Sequence, residues 1–327
     1  MLASKKLCVF LVITNSMPEL PEVTTTVNGL KRALKGLSFG DVWTDLAKEK
    51  PIKQFENTIK DIKFFNKMKK EIKGIKVLSV ERRAKNILIN LANQKTILIH
   101  LKMTGHILVG RYHKTHSTKH TTWVPDKNER RDLHDPYNRF IHVVFPLSNG
   151  LAMVFCDSRK FGKITMLDTK TLHETTHLKN LGPEPLYKDF HFEKFKEQLF
   201  LKPNKNIKTV LMDQSIIAGI GNIYSDEMLW LSSIHPESKP KNIPNKNLKL
   251  LYTSMKEVLA KGINFGGDSM SDYRNINGRK GNFQKHHNVY QKKGESCGKR
   301  GCKGAIIRKV LDGRSAHFCN VHQKLFN

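Results

Sequence analysis

The run Met17-Pro18-Glu19-Leu20-Pro21-Glu22 offers an unusual nucleophile, because a chain started at Met17 and trimmed of that methionine would present proline as its first residue. A terminal α-amine has a pKa of about 7.7–8.0 against about 10.4 for lysine, so far more of it is neutral near pH 7. Attack of this secondary amine on a sugar anomeric carbon gives an iminium that keeps its positive charge, an electron sink comparable to the Schiff bases of lysine. Neighbouring C–H bonds become acidic and elimination is permitted. Glu19, next along the chain, is within reach to protonate the opening sugar ring. Taken alone, six such residues more often mark a solvated approach to a helix.

A second chemical set closes the chain. Cys297 and Cys302 are followed, after sixteen residues, by Cys319 and His322, two ligand pairs a strand-turn-strand apart. Three thiols and an imidazole fit a closed tetrahedral zinc site. The other two cysteines, Cys8 and Cys156, are isolated, so the pattern points to a metal site in a reducing, intracellular compartment rather than to a disulfide framework or secretion.

These residues need elements to hold them. Glu22 to Leu37 reads as a helix with Val23, Val27, Leu30 and Leu34 near one face and Gly36 near its end. Apolar runs at Val77–Val80, Ile87–Leu91, Thr96–Leu101, Ile141–Phe145, Leu151–Phe155 and Lys163–Leu167 read as short strands in series, which suggests an antiparallel sandwich. Between Arg111 and Arg139 a basic stretch with His113, His116, His120 and His134 reads as a loop insertion and a possible second metal site. After Leu167 the pattern turns helical through Phe195–Phe200, Ile207–Asp213, Asn222–Ser232 and Asn247–Ile263. Ile263 to Lys293 is Gly-rich, polar and basic, and reads as a mobile binding loop or linker.

The stretches MPELPEV (17–23), RRAKNILINL (82–91), HLKMTG (100–105), DSRKFG (157–162), LGPEPL (181–186), LMDQSIIAGIGNIYSDEML (211–229) and GRSAHFC (313–319) occur in the order of one known family. From Met17 to Gln323 the chain resembles the formamidopyrimidine-DNA glycosylase and endonuclease VIII family. The resemblance implies an α+β, multidomain fold: an N-terminal antiparallel β-sandwich with an N-terminal helix, a helical helix-two-turn-helix domain and a C-terminal zinc-finger β-hairpin. The boundaries expected are 1–16 for an extension, 17–166 for the sandwich, 167–289 for the helical domain and 290–327 for the finger.

The resemblance also implies roles. Pro18 and Glu19 match the nucleophile and acid, and Lys85 a lysine that contacts phosphate and assists base loss, although alone it would read as a solvated lysine. Met103, Arg159 and Phe161 match the residues that fill the gap left when a nucleotide is extruded from duplex DNA; without the match, Met103 and Phe161 would read as core. Asn222, with the free N–H groups of a helix start behind Gly219 and Gly221, matches a phosphate site, and Glu22 is counted among the DNA-binding residues. Arg314 falls on the finger's hairpin turn, where an arginine grips phosphate bidentately. Two departures stand out: the family usually shows C-x2-C twice, so the wider first pair and His322 differ, with His286, His287 and His317 as alternative ligands; and Phe140 stands where the family often has a DNA-contacting histidine.

Composition bounds the partner. The formal charge of +28, from 57 Lys and Arg against 29 Asp and Glu, favours a polyanion and a steep salt dependence of binding. No apolar run reaches the roughly 18–20 residues needed to cross a membrane. Lys5 and Lys6 before Leu7–Ile13 look like a short targeting segment. With that extension attached Pro18 is an amide and cannot attack, so the expectation is a start at Met17, against a removed leader or a catalytically dead, noncatalytic nucleic-acid binder; attachment to membrane through the extension is a weaker alternative. The reading is a monomeric bifunctional glycosylase and abasic-site lyase of base excision repair that holds one structural zinc. It would act on damaged DNA, duplex or also single-stranded, removing 8-oxoguanine and formamidopyrimidines, with an endonuclease VIII-like preference for oxidised pyrimidines as the alternative.

Overall fold

A computed structural model describes residues 17–116, 121–270 and 272–327, so the expectations about residues 1–16, His120 and the side chain of His116 lie outside the described residues. Helix α1 (Leu20–Leu34) carries Pro21 in its first turn, where a missing N–H costs nothing. It starts two residues before the expected position. Val23, Val27, Leu30 and Leu34 are buried in the core of the N-terminal half, while Leu20 belongs to a second core built from the helices. The residues at the head of α1 therefore sit where the two halves meet.

Strands β1 (Trp43–Thr44), β2 (Val77–Arg83), β3 (Asn86–Leu91), β4 (Lys95–His100), β5 (His106–Gly110), β6 (Tyr112–His116), β7 (Thr121–Pro125), β8 (Ile141–Pro146), β9 (Ala152–Cys156) and β10 (Lys163–Asp168) follow. Two four-stranded antiparallel sheets, ordered β1-β8-β9-β5 and β10-β4-β3-β2, form the expected sandwich. Alternation decides the faces. Ile87, Ile89, Ile97 and Ile99 point into the core with Ile107, Val143, Phe145 and Phe155, whereas Leu88 and Leu98 face outward beneath Leu172 and Leu178.

Three sequence expectations fail here. Helix α2 (Ile62–Ile72) interrupts the strand series: Asp61 caps it by accepting from Lys63 N, and Phe65, Met68 and Ile72 recur at helical spacing. The histidine-rich stretch is not all loop, since β6 and β7 pair as a hairpin packed through Trp123 against Trp43, ring centroids 6.2 Å apart. The glycine-rich stretch after residue 263 is packed rather than a mobile linker: Tyr273, Arg274, Ile276, Phe283 and Tyr290 are all buried.

The second half contains α3 (Phe192–Phe200), α4 (Ile207–Met212), α5 (Asn222–Leu231) and α6 (Asn245–Asn264), close to the elements expected. The hairpin β11 (Ile306–Leu311) and β12 (Arg314–Cys319) ends the chain. It rests on α5, and three buried groups key the contact: Asp226 on α5 accepts from His317 N at 2.9 Å and pairs with His317 Nδ1 and with Lys208 on α4, whose Nζ also donates to Ser315 O.

Candidate active site

Glu19 is held by the start of α5. Its carboxylate accepts from Ile223 N at 2.9 Å and Tyr224 N at 3.4 Å, donors that a helix N-terminus leaves open. Gly221 is required beneath it, because a Cβ there would lie 2.3 Å from Glu19 Cδ. Gly219 adopts a positive φ of 93°, and its carbonyl accepts from Leu20 N at 3.0 Å. Gln214 fastens this turn by accepting from Gly219 N and donating to Met212 O and Ile220 O. Burial raises the pKa of Glu19 above the usual carboxylate value, opposed by the Lys85 charge and the two amide donors. A carboxyl that holds its proton longer is better suited to donate one.

Lys85 projects from the β2–β3 turn, just after Ala84 at φ 52°. Burial lowers its pKa, with Glu19 and then Glu22 pulling the other way. Glu184 fixes this turn: it pairs with Arg82 at 2.6 Å and Arg83 at 3.0 Å and accepts from Ala84 N at 2.6 Å. Met17, Glu19, Lys85, Gln214, Asn222 and Arg314 line one cavity of about 410 Å³, together with His100, Lys102, Lys163 and His177. Burial and the charges of Lys102 and Lys85 push His100 down to about 3, so it is neutral at pH 7. Pro18 is buried under half-buried Met17, and in this chain its nitrogen is the amide joined to that residue.

Glu22 differs from its expected place at the DNA. It is buried behind Glu19, accepting from Glu19 N at 2.8 Å, Tyr224 Oη at 2.6 Å and Asp268 N at 2.6 Å. It braces the site from within. Burial and the Glu19 charge push its pKa up to about 7.

Met103, Arg159 and Phe161 come together although 56 residues separate the first two: Arg159 Nη1 lies 3.3 Å from Met103 Sδ, and its guanidinium sits 4.7 Å over the Phe161 ring. Phe161 is 45% exposed, unlike a core aromatic. Asp157 shapes the loop, accepting from Gly162 N at 2.6 Å, Arg159 N at 3.3 Å and the Thr104 hydroxyl.

The ligand atoms of Cys297, Cys302, Cys319 and His322 lie within 4.8 Å of one another, the sole such grouping of metal-ligating side chains among the described residues. Cys302 Sγ and Cys319 Sγ are 3.6 Å apart and Cys297 Sγ is 3.3 Å from His322 Nδ1. With Zn–S of about 2.3 Å, a tetrahedron has edges of roughly 3.7 Å, so the set fits a metal of that size. The surroundings agree: Trp230 Nε1, Gly304 N and Val321 N donate to the three sulfurs, and His322 Nε2 faces Trp230 O at 3.1 Å, which leaves Nδ1 as the ligand atom. The alternative ligands are engaged elsewhere. His287 pairs with Asp268, His317 with Asp226, and His286 stacks on Phe265.

Residues 17–164 match the family described as formamidopyrimidine-DNA glycosylase N-terminal domain, and residues 181–274 match the formamidopyrimidine-DNA glycosylase H2TH domain. The formamidopyrimidine-DNA glycosylase of Streptococcus pyogenes serotype M3 is 38% identical over 189 residues, 58% of this chain and 68% of the relative; that of Lactobacillus gasseri is 39% identical over 192 residues, with the same coverage. The chain belongs to the formamidopyrimidine-DNA glycosylase family. It is thus a DNA glycosylase of base excision repair. Among solved structures, the complex of the Lactococcus lactis Fpg with abasic-site DNA is 29% identical with a TM-score of 0.75, covering 94% of this chain and 99% of that one. A complex of the same Fpg with DNA containing Fapy-dG gives the same TM-score and identity, with 100% of that chain covered.

Within this glycosylase, the residues that the motifs did not single out are mostly buried acids. Asp157, Glu184, Asp226 and Asp268 are buried; Glu184 holds the turn of Lys85 and Asp226 the hairpin of Arg314, two segments that line the cavity. For Asp157 a local signal existed, since an aspartate two residues before a turn caps it through its side chain. For Glu184 the partners are about a hundred residues away, and Asp226 joins Lys208, 18 residues before it, to His317, 91 residues after it, so spacing carries no trace of them.

Proposed function

We propose that Pro18, as the first residue of the working enzyme, attacks C1′ of a damaged nucleotide and displaces the base. Glu19 protonates the opening sugar, Lys85 contacts phosphate and assists base loss, and elimination of the 3′ and then the 5′ phosphate leaves a one-nucleoside gap. The observation that carries this reading is the convergence of Glu19, Lys85, Asn222 and Arg314, from four distant segments, on one cavity at the head of α1. The family match beginning at residue 17 supports a start there.

Asn222 and Arg314 hold the phosphates beside the lesion, and Met103, Arg159 and Phe161 occupy the gap in the duplex. Their mutual contact favours damaged double-stranded DNA as partner, with the protein acting as a monomer inside the cell. The chain divides into the sandwich of 17–166, the helical unit of 167–289 and the finger of 290–327. One structural zinc ion held by Cys297, Cys302, Cys319 and His322 keeps the hairpin folded and so keeps Arg314 in place. The lesions are 8-oxoguanine and formamidopyrimidines, a choice supported by the filling trio and by the Fapy-dG complex of the Lactococcus lactis relative.

Borohydride trapping on an abasic-site duplex tests the chemistry. A chain starting at Met17 should link covalently through Pro18, whereas the full-length chain should not. Absence of trapping in both would remove the catalytic assignment. Excision of 8-oxoguanine duplexes in preference to thymine glycol duplexes is the expected lesion result.

A further inference from the structure

A lysine is buried beneath the loop that carries Arg159 and Phe161. Lys60 is only 7% exposed, although a lysine ordinarily keeps its head in water. Its Nζ donates to Lys160 O at 2.6 Å and stands 3.6 Å over the Phe55 ring. Burial lowers its pKa to about 8, opposed by the Asp157 charge, so at pH 7 it is still mostly an ammonium. A desolvated ammonium is costly, so its pairing with a loop carbonyl calls for a reason.

The backbone on either side of Lys60 is fixed. Ile59, in the core, donates its N–H to Ile164 O at 3.0 Å, Thr165 Oγ1 donates to Asn57 O at 2.6 Å, and Lys60 O accepts from Lys48 N at 2.9 Å. Residues 57–60 are thus stitched to β10, the strand that follows the loop, and the ammonium reaches up from a rigid base. The carbonyl it takes is a particular one. Lys160 has a positive φ of 56°, in the left-handed region that a residue with a side chain enters at some cost. Lys160 O and Phe161 N belong to one planar peptide, so holding the oxygen fixes the plane from which the Phe161 side chain departs. Asp157 meanwhile grips donors of the same loop, Arg159 N and Gly162 N. We propose that Lys60 is a positioning residue for Phe161: its ammonium, on the Lys160 carbonyl, locks the peptide that aims the exposed ring, so that the wedge meets the duplex already oriented.

This role rests on Phe161 as a group that enters the duplex gap, and the test separates the two. Binding of the full-length chain is measured with a duplex carrying a tetrahydrofuran abasic analogue and 2-aminopurine in the flanking base pair of the opposite strand, and with the analogue strand alone; neither measurement requires a free Pro18 amine. Phe161→Ala should weaken duplex binding and abolish the 2-aminopurine signal while leaving single-strand binding unchanged. Lys60→Met, which fills the same space over Phe55 without a donor, should weaken duplex binding by about fivefold, below the full worth of a hydrogen bond to a charged group because the effect reaches Phe161 through one peptide. Single-strand affinity should not change. In the Phe161→Ala background Lys60→Met should add nothing, and Lys60→Arg, which keeps a cationic donor, should restore most of the affinity. Thermal unfolding checks that each variant is folded; if Lys60→Met is not, Lys60→Gln, one atom too short to reach the carbonyl, takes its place with the same expected loss.

Equal loss on both substrates, a loss that persists in the Phe161→Ala background, or no loss on the duplex would overturn the role of Lys60 while the wedge reading stands. If Phe161→Ala itself leaves duplex binding and the 2-aminopurine signal unchanged, both fall together.

Discussion

Gly221→Ala isolates the geometry of Glu19 without touching the carboxyl itself. Gly221 has ordinary extended backbone angles (φ −137°, ψ −154°), so alanine strains nothing locally. Its Cβ, however, would stand 2.3 Å from Glu19 Cδ and 2.6 Å from Oε1. Relief to an ordinary contact of about 3.4 Å moves the carboxyl by roughly 1 Å, a displacement that can cost a positioned catalytic group about 10²-fold. That corresponds to about 2.7 kcal/mol in the barrier. The bonds from Ile223 N and Tyr224 N also lengthen, and loss of such a cap destabilises by about 1 kcal/mol. The assay is single-turnover excision from an 8-oxoguanine duplex by a chain trimmed to Pro18, with binding measured in parallel. The variant should excise about a hundredfold more slowly and bind within a few-fold of the parent. In a Glu19→Gln background Gly221→Ala should cost little more, because both act on one group. Undiminished excision, or losses that multiply in the double variant, would refute this account of how Glu19 is placed.

Two further outcomes follow from the structure. Glu22 has a folded pKa of about 7 against an ordinary 4.5, so between those values the folded state holds a proton that the unfolded chain has lost, and stability falls as pH rises through this window, by at most ~3 kcal/mol for this one group. Urea unfolding at pH 5 and pH 8 should therefore show the parent losing ground to Glu22→Gln at the higher pH, and parallel profiles would count against it. Chelation of the metal should alter tryptophan emission, because Trp230 donates to Cys297 Sγ and meets the His322 ring edge-on at 5.4 Å; the same treatment should weaken the second elimination more than the first by freeing the Arg314 hairpin, and elemental analysis should give one zinc per chain before it.

Much of this was readable in the chain because the signals are local. Val23, Val27, Leu30 and Leu34 face the core at helical spacing, and β3 and β4 are short continuous apolar runs whose isoleucines take the sandwich face while Leu88 and Leu98 are buried on the other. The Cys and His pairs converge because a hairpin brings strand ends together. The failures share a different cause. Helix α2 sets its apolar face, Phe65, Met68 and Ile72, among lysines, so its short repeat carries a weak signal inside the strand series. The stretch after residue 263 has the composition of a linker, but Arg274 finds Asp135, 139 residues away, and Tyr273 finds Glu22 O, 251 residues away. Glu22 was grouped with the DNA contacts because it shares a motif with Pro18 and Glu19. Tyr224, 202 residues along, and Asp268, 246 along, hold it inward, while its bond from Glu19 N is a local capping-box contact three residues apart.

Those long-range partners explain why a protein of formal charge +28 keeps buried acids at all. Among the described residues Glu19, Glu22, Asp157, Glu184, Asp226, Glu227 and Asp268 are buried. An exposed carboxylate near the cleft would repel a polyanion, and Coulomb repulsion between unit charges 4 Å apart is about 4 kcal/mol at an effective dielectric of 20. Turned inward and saturated with N–H donors, the same groups become the fasteners of cationic segments: Glu184 holds the turn of Lys85, Asp226 the hairpin of Arg314, and Asp157 the loop of Arg159. The division has an energetic consequence. Removing Asp226 leaves buried Lys208 without compensation, a loss of about 3–5 kcal/mol for a broken buried pair, so neutralising Asp226 would disorder the finger before it altered any contact with DNA.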